Sequence, residues 1–272
     1  MILVVASTTD VASMNIAQKI IDNYEFEKLS ESFQQNPIYS KKIHDAEANL
    51  VFVNQETILA QYITDYFSPQ LVVFVSRHSG VAGIPTLSVH TPGNLVEEAK
   101  LGGLPRKISI SPASAMKNAL LEMFGVKGEK GLDYQVSYEC THHGPSLDVP
   151  TMFVELGSSP KQWADLKAAE VVAHATMAAV SKQSKYSTVL GVGGPHYNER
   201  FTKIALNTPA AFGHIIPKYA VPNVDAEIVR QCVQRTQEKV ESAIFDWKGM
   251  RGADRERIAR VLSELNVRVE KA

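Results

Sequence analysis

The sequence predicts an α/β fold with three layers, α/β/α, around a mixed, mostly parallel central sheet. Three short runs rich in β-branched apolar residues, at 2–6, 49–54 and 71–76, have the composition of strands buried on both faces. Segments with helical spacing of apolar residues lie between them, an alternation typical of parallel strands joined by helices. No internal repeat or linker-like tract interrupts the chain, so we predict a single domain over residues 1–272.

The other elements of the first half follow from cap and turn signals. Polar residues 7–10 suit a helix N-terminus, and this helix is expected to run to about residue 21. Residues 24–44 are more polar and predict a hairpin or irregular chain. Residues 56–67 have helical spacing that stops before a proline, and residues 86–90 predict a further strand.

The second half continues the alternation of strands and helices. Ser111-Pro112 is expected to begin a helix that Gly125 ends, because serine caps well and proline suits the first turn. A flexible loop with Lys127 and Lys130 should follow. Beyond it we predict strands at 134–138, 151–155 and 186–192, and helices at 162–182, 225–244 and 254–265.

Charge and composition exclude several classes of protein. The formal charge of −1 argues against a strongly basic nucleic-acid-binding surface, although a local basic patch would still allow an RNA partner. The two cysteines have no paired spacing and fit a reducing cytosol. The chain enters a strand-like run without a basic leader, and no apolar run approaches the ~18 residues of a membrane span. We expect a cytoplasmic protein, favour a monomer, and expect neither DNA nor membrane as a partner.

Six of the eight histidines share one sequence context. Each adjoins a glycine, a proline or a turn at the end of an apolar segment; they are His78, His90, His142, His143, His196 and His214. Loops at strand ends are where catalytic and binding residues collect in α/β proteins. His174 is different, because it follows Glu170 by four residues within a predicted helix, a spacing that we interpret as structural.

The stretch 139–157 concentrates the candidate chemistry. It begins with Glu139, contains His142 and His143, turns, and continues as an apolar strand that ends on Glu155. Imidazole with carboxylate suits zinc, which would lower the pKa of a water to ~7 and polarise a carbonyl. The metal-free alternative uses histidine as a general base and histidine or arginine to bind an oxyanion. Without a His-Glu-x-x-His motif, the residue spacing slightly favours this alternative.

Two further expectations concern side-chain direction and nucleophiles. Neighbouring side chains of extended backbone point to opposite faces, so His142 and His143 are not expected to share one task. No Gly-x-Ser-x-Gly elbow is present, which leaves serine chemistry weakly supported. Cys140 could act as a thiolate nucleophile, but a lone cysteine is more often a buried apolar residue.

Several of these motifs resemble the archaeal and plant type of D-aminoacyl-tRNA deacylase. The longest is Cys140-Thr-His-His-Gly-Pro-Ser-Leu-Asp-Val-Pro-Thr-Met-Phe-Val-Glu-Leu-Gly-Ser158. Others are Ser76-Arg-His78 with Gly80, His90-Thr-Pro-Gly-Asn94, Gly191-Val-Gly-Gly-Pro-His-Tyr197, Gly213-His-Ile-Ile-Pro-Lys218 and the N-terminal Val-Val-Ala-Ser-Thr-Thr-Asp. Together they extend the resemblance over nearly the whole chain.

The resemblance implies hydrolysis of the ester that joins a D-amino acid to the terminal ribose of tRNA, so D-aminoacyl-tRNA is the expected substrate. It also implies zinc and an α/β/α fold of the phosphorylase/hydrolase-like kind. Our hypothesis is that a metal-activated water attacks the ester carbonyl, and that Arg77, His78 or the backbone amides of Gly193-Gly194 stabilise the oxyanion. Pocket shape is expected to reject the L isomer. The candidate residues carry three roles. The expected metal ligands are His142, His143, His196 and His214. The expected catalytic residues are His142, His143, Glu155, Arg77 and His78. The expected substrate-binding residues are His90, Asn94, Gly193, Gly194, Tyr197 and Lys218.

Two alternatives from other classes remain open at this point. A nucleoside phosphorylase-like transferase would require phosphate and would cleave nucleosides by phosphorolysis. A non-enzymatic RNA-binding module is the second alternative, and the nearly neutral charge gives it little support.

Overall fold

Two β-sheets with surrounding helices make up the structure, a computed structural model that describes residues 1–272. The strands are β1 (Ile2–Ser7), β2 (Glu27–Phe33), β3 (Asn36–Ile43), β4 (Ala46–Val53), β5 (Leu71–Arg77), β6 (Thr86–His90), β7 (Gln135–Tyr138), β8 (Thr151–Gly157), β9 (Ser187–Val192), β10 (Ala210–Ile216), β11 (Ser242–Phe245) and β12 (Arg268–Lys271). The α-helices are α1 (Val11–Asn23), α2 (Ile63–Tyr66), α3 (Ala113–Glu129), α4 (Pro160–Trp163), α5 (Leu166–Ser181), α6 (Glu199–Asn207), α7 (Ala226–Gln234) and α8 (Gly252–Glu264). No helix combines the length and apolar character that a membrane crossing needs.

The larger sheet has eight strands in the order β2-β3-β4-β1-β5-β8-β6-β7. Its centre is parallel, and β3 pairs antiparallel with both β2 and β4, forming the hairpin predicted for residues 24–44. Strand β6 runs antiparallel to β8 and parallel to β7. The predicted α/β fold with a mixed, mostly parallel sheet is therefore confirmed.

The smaller sheet was not predicted. Its four parallel strands lie in the order β10-β9-β11-β12, and β12 lies in a C-terminal segment for which no strand was expected. The largest hydrophobic core joins the two sheets, because Val4 and Val154 of the larger sheet belong to the same cluster as Val189 and Phe212 of the smaller one. A shared core favours one folding unit, and the single domain over residues 1–272 stays a prediction.

Helix α3 continues beyond the residue predicted to end it. It passes through Gly125 to Glu129, so Lys127 is helical and not part of a flexible loop. A helical glycine costs about 1 kcal/mol. Fully burying side chains such as Met116 and Leu120 contributes about 1.5–3 kcal/mol each, which outweighs that cost.

Three other predicted helices are shorter than expected. The segment 56–67 contains only the 3-10 turn Thr57–Leu59 and α2, because Gln61 between them bonds the backbone of Ser146 through its side-chain amide. The segment 162–182 divides at Asp165, which accepts hydrogen bonds from the first amides of α5. In the segment 225–244 the helix ends with α7 at Gln234, because Arg235 and Gln237 pair through their backbones with Ser111.

The two tryptophans allow a direct test of the single-domain prediction. Trp163 lies on α4 beside the larger sheet, and Trp247 follows β11 of the smaller sheet. Trp163→Phe and Trp247→Phe each leave one fluorophore that reports on one sheet. In urea, the fluorescence transition of each variant is expected to coincide with its own far-UV circular dichroism transition, because the sheets share a core. Separate midpoints within either variant would contradict a single cooperative unit.

Candidate active site

Two buried carboxylates and one imidazole form the centre of the candidate site. Glu139 follows β7, Glu155 lies within β8, and His78 follows β5. The Nδ1 atom of His78 lies 3.1 Å from Glu139 Oε1 and 3.4 Å from Glu155 Oε2. All three side chains are almost fully buried, so these charges are paired with one another and not with solvent.

The protonation states of this group follow from its contacts. Burial lowers the pKa of His78, but the two carboxylates outweigh burial and raise that pKa to about 11. Burial raises the pKa values of Glu139 and Glu155, but hydrogen bonds from histidines hold both well below the ordinary value. At neutral pH the group therefore consists of an imidazolium between two carboxylates.

His196 lies on the other side of Glu139. Its Nε2 donates to Glu139 Oε2 at 2.8 Å, and its Nδ1 lies 3.3 Å from both Cys140 Sγ and the Tyr219 hydroxyl. Burial lowers the pKa of His196, but its contacts with Cys140 and Glu139 raise that pKa to about 10. Both ring nitrogens of His196 are thus occupied by partners.

The adjacent histidines His142 and His143 point into the same space, contrary to the expectation from extended backbone. The φ angle of His143 is +43°, outside the β region, and the two ring centroids are 4.3 Å apart. His142 Nδ1 donates to the carbonyl of Cys140 at 2.8 Å, and His143 Nδ1 donates to the carbonyl of Gly144 at 2.7 Å. These bonds fix the tautomer in which each Nε2 keeps a free lone pair.

Both of these imidazoles are neutral. Burial, together with the neighbouring imidazoles, holds the pKa of His142 well below its ordinary value and lowers the pKa of His143 to about 4. Two neutral rings with fixed tautomers and free lone pairs are suited to binding a metal ion.

His90 completes this group from the end of β6. Its side chain is fully buried, and neither ring nitrogen has a hydrogen-bond partner; the nearest carboxylate oxygen, Glu155 Oε2, is 3.7 Å from Nε2. The ring lies 4.4 Å from that of His142 and 4.8 Å from that of His143, centroid to centroid. A buried polar group without a partner costs about 1–3 kcal/mol, so we expect a ring nitrogen of His90 to bind a further ligand.

Three sets of side chains bring potential ligand atoms within 4.8 Å of one another. They are His90, His142 and His143; Cys140, His142 and His196; and His78, Glu139 and Glu155. The first set has free lone pairs, whereas in the others the histidines His196 and His78 are held by hydrogen bonds to carboxylates or other partners.

His214, an expected ligand, lies apart from all three sets. Its Nδ1 is 3.0 Å from the Thr141 hydroxyl and its Nε2 is 3.0 Å from the carbonyl of Arg235. Burial lowers its pKa to about 4. Both ring nitrogens of His214 have partners inside the protein. His214 therefore connects Thr141, next to His142, with Arg235, which follows α7.

Of the residues expected to bind the oxyanion or the substrate, some lie near the two carboxylates and others have structural contacts. Arg77 lies near the centre, where its guanidinium pairs with Glu56 at 2.9 Å, and the Tyr197 hydroxyl lies 2.6 Å from His78 Nε2. Asn94 has a structural contact instead, since its side-chain amide donates to the carbonyls of Gly102 and Leu104.

Gly193, Gly194 and Lys218 lie in the turn next to His196. The Gly193 amide donates to Ile216 and is not available for the oxyanion role expected of it, and the Lys218 amide donates to Gly194. Gly193 and Gly194 have φ angles of +97° and +77°, which glycine adopts without strain. Gly193 and Gly194 form the turn that precedes His196, Lys218 supports this turn from the segment after β10, and none of the three lines either of the two cavities at the site.

Two cavities meet at the histidines. The larger, of about 490 Å³, is lined by apolar groups that include Leu95, Val96 and Tyr219. The smaller, of about 380 Å³, contains Arg77, His78 and Glu155. Both are lined by Leu101, His142, His143 and His196, so a ligand that spans them would pass over the imidazoles.

The sequence assigned no role to Tyr219, marked Glu139 only as the start of the candidate stretch, and offered Cys140 only as a possible nucleophile. Glu139 had a visible signal, because it ends the strand that leads into the histidine pair. Tyr219 had none; it follows Lys218 in an exposed turn and reaches His196 only through the fold.

Comparison with known proteins identifies the family. A family model described as D-aminoacyl-tRNA deacylase matches residues 65–270. The D-aminoacyl-tRNA deacylase of Pyrococcus furiosus is 37% identical over 272 residues, with 97% of both chains covered. That of Methanosarcina acetivorans is 37% identical over 99% of this chain and 92% of the relative.

A solved structure has the same fold. The crystal structure of a conserved protein of unknown function, AF0625, superimposes with a TM-score of 0.89 and 31% identity, covering 100% of this chain and 95% of that chain. The family match covers residues 65–270, and the relatives extend over nearly the full length of the chain. The chain belongs to the D-aminoacyl-tRNA deacylase family.

Proposed function

We propose that the protein hydrolyses the ester of D-aminoacyl-tRNA to free D-amino acid and tRNA, with the help of zinc. The names of its relatives support the substrate. The observation that carries the chemistry is His90, whose two ring nitrogens are buried without partners beside two neutral imidazoles.

His90, His142 and His143 fit a zinc site in the chemistry of their donors. Catalytic zinc commonly has three protein ligands and keeps a further position open, and the backbone bonds of His142 and His143 orient their Nε2 atoms for such a role. A zinc ion supplies a Lewis acid that polarises the ester carbonyl and lowers the pKa of a water.

This ligand set differs from the one expected from the sequence. His90 replaces His196 and His214, because the ring nitrogens of both already have partners inside the protein.

Glu155 is the residue proposed to accept the proton of the attacking water. Its Oε1 accepts a hydrogen bond from Ser76 at 2.7 Å, and its Oε2 points toward His78 and His90. Because its pKa lies well below the ordinary value, the Glu155 carboxylate is ionised at neutral pH but is a weak base, so this proton transfer depends on a water whose own pKa is lowered.

Arg77 and His78 are proposed to stabilise the oxyanion, His78 through its charge alone because both of its ring nitrogens already have partners. Both carry positive charge and line the smaller cavity beside Glu155. Fixed cations in a partly desolvated pocket stabilise developing negative charge more strongly than water does. Tyr197 supports His78 through their 2.6 Å contact and so contributes indirectly.

Deacylation of D- and L-tyrosyl-tRNA tests the proposed function. We expect the D ester to be hydrolysed in preference to the L ester, without added phosphate. Dialysis against a chelator should abolish the activity, and added zinc should restore it, because the ligand set depends on nitrogen donors that suit zinc. Equal hydrolysis of the two esters, or phosphorolysis of nucleosides in its place, would contradict the proposal.

His90→Ala tests the ligand set within the folded protein. The variant is expected to bind less zinc per chain by elemental analysis and to lose at least about 100-fold in D-tyrosyl-tRNA deacylation, the upper end of the loss from a disturbed metal environment. His174→Ala is the matched control, since His174 lies on α5 in contact with Tyr24 and Glu170. Wild-type zinc content and activity in His90→Ala would rule out His90 as a ligand.

A further inference from the structure

Leu101 lies where the two cavities meet and has no role in the proposed reaction. It is the one apolar residue that lines both cavities, and the other shared residues are His142, His143 and His196. Its side chain is 58% exposed, which is unusual for leucine beside buried polar chemistry. Because it lines both cavities, Leu101 borders the space in which a spanning ligand would lie.

The backbone around Leu101 is held on both sides. Its carbonyl accepts a hydrogen bond from the amide of Gly144 at 2.9 Å, directly beside His143. Gly102 follows with a φ angle of +78°, and a Cβ there would lie 2.1 Å from the carbonyl oxygen of Ile58. The Asn94 side chain donates to the Gly102 carbonyl at 2.9 Å. Leu101 is therefore fixed relative to the histidines.

The position of Leu101 matters because of where the chiral carbon of the substrate lies. In an aminoacyl ester the chiral Cα is bonded directly to the carbonyl carbon that is attacked. With the carbonyl at the shared imidazoles, the two ends of the substrate extend into the two cavities, and Cα lies at their junction. An apolar wall without hydrogen-bonding groups discriminates there only by shape.

We propose that Leu101 determines the stereospecificity of the reaction by excluding the side chain of an L-aminoacyl group from the junction of the two cavities. This inference rests on the proposed function. Leu95 and Val96 line only the larger cavity and Ile58 only the smaller one, so none of them occupies the junction.

Leu101→Ala tests this role by the ratio of kcat/KM for D- and L-tyrosyl-tRNA. Removing the wall is expected to raise hydrolysis of the L ester by about 10- to 200-fold, the range that small steric differences in a pocket produce. Leu101→Met keeps the volume and should keep the discrimination. Leu104→Ala is the control, because Leu104 is exposed in the same loop but lines neither cavity.

The outcomes separate the inference from the function on which it rests. If the wild type prefers the D ester and Leu101→Ala, folded by circular dichroism, keeps the same D/L ratio, Leu101 is not the determinant. Loss of discrimination in Leu104→Ala as well would also overturn the inference, since the effect would then belong to the loop. If the wild type hydrolyses neither ester, the proposed function fails and the inference fails with it.

Discussion

Burial of Glu139 and Glu155 beside the same imidazole is the constraint on which the site depends. Moving an isolated charge into the protein interior costs several kcal/mol, so two carboxylates need cations within reach. His78 lies between them and His196 neutralises Glu139 from the other side. Breaking one of these pairs would leave a buried charge without a partner, and the pKa values of the neighbouring imidazoles would then change.

This constraint divides the histidines into two kinds. Those that contact Glu139 directly at 3.1 Å or less, His78 and His196, are charged. His142 and His143 instead donate to backbone carbonyls and are neutral. The division suits the first pair to cationic roles and the second pair to the proposed zinc site, although all four share the same sequence context.

The fold brings these residues together from distant parts of the chain. His90 and Glu139 come from the paired strands β6 and β7, and the Glu139 amide donates to the carbonyl of Val89. His196 arrives from the smaller sheet, where Cys140 donates its amide to the carbonyl of His196. The site therefore lies where the two sheets meet, and both are needed to build it.

Much of the architecture could be predicted because local patterns and packing agree. Strands β1, β4 and β5 of the larger sheet contain apolar runs, and Asp10 caps α1 as its position suggested. The prediction failed where distant contacts outweigh local preference. Helix α3 continues through Gly125 because the helix as a whole packs against α5, and the helix before Arg235 ends because Arg235 pairs with Ser111.

The grouping of the histidines was predictable from the sequence, whereas their separate roles and several of the other site residues were not. Six histidines at segment ends indicated a shared pocket, and five of them lie around the two carboxylates. His214 has the same context but turns toward Thr141 and Arg235. Neither the positive φ of His143 nor the absence of partners around His90 has a signature in the sequence, because both follow from the tertiary contacts of the loop.

The central claim is that the free lone pairs of His90, His142 and His143 form a zinc site. Anomalous X-ray diffraction at the zinc edge, from crystals grown with zinc, tests it most directly. The account expects one anomalous peak about 2.0–2.1 Å from a ring nitrogen of each of these three residues. A well-ordered histidine cluster without such a peak, or a zinc ion bound by His78 or His196 in its place, would contradict it.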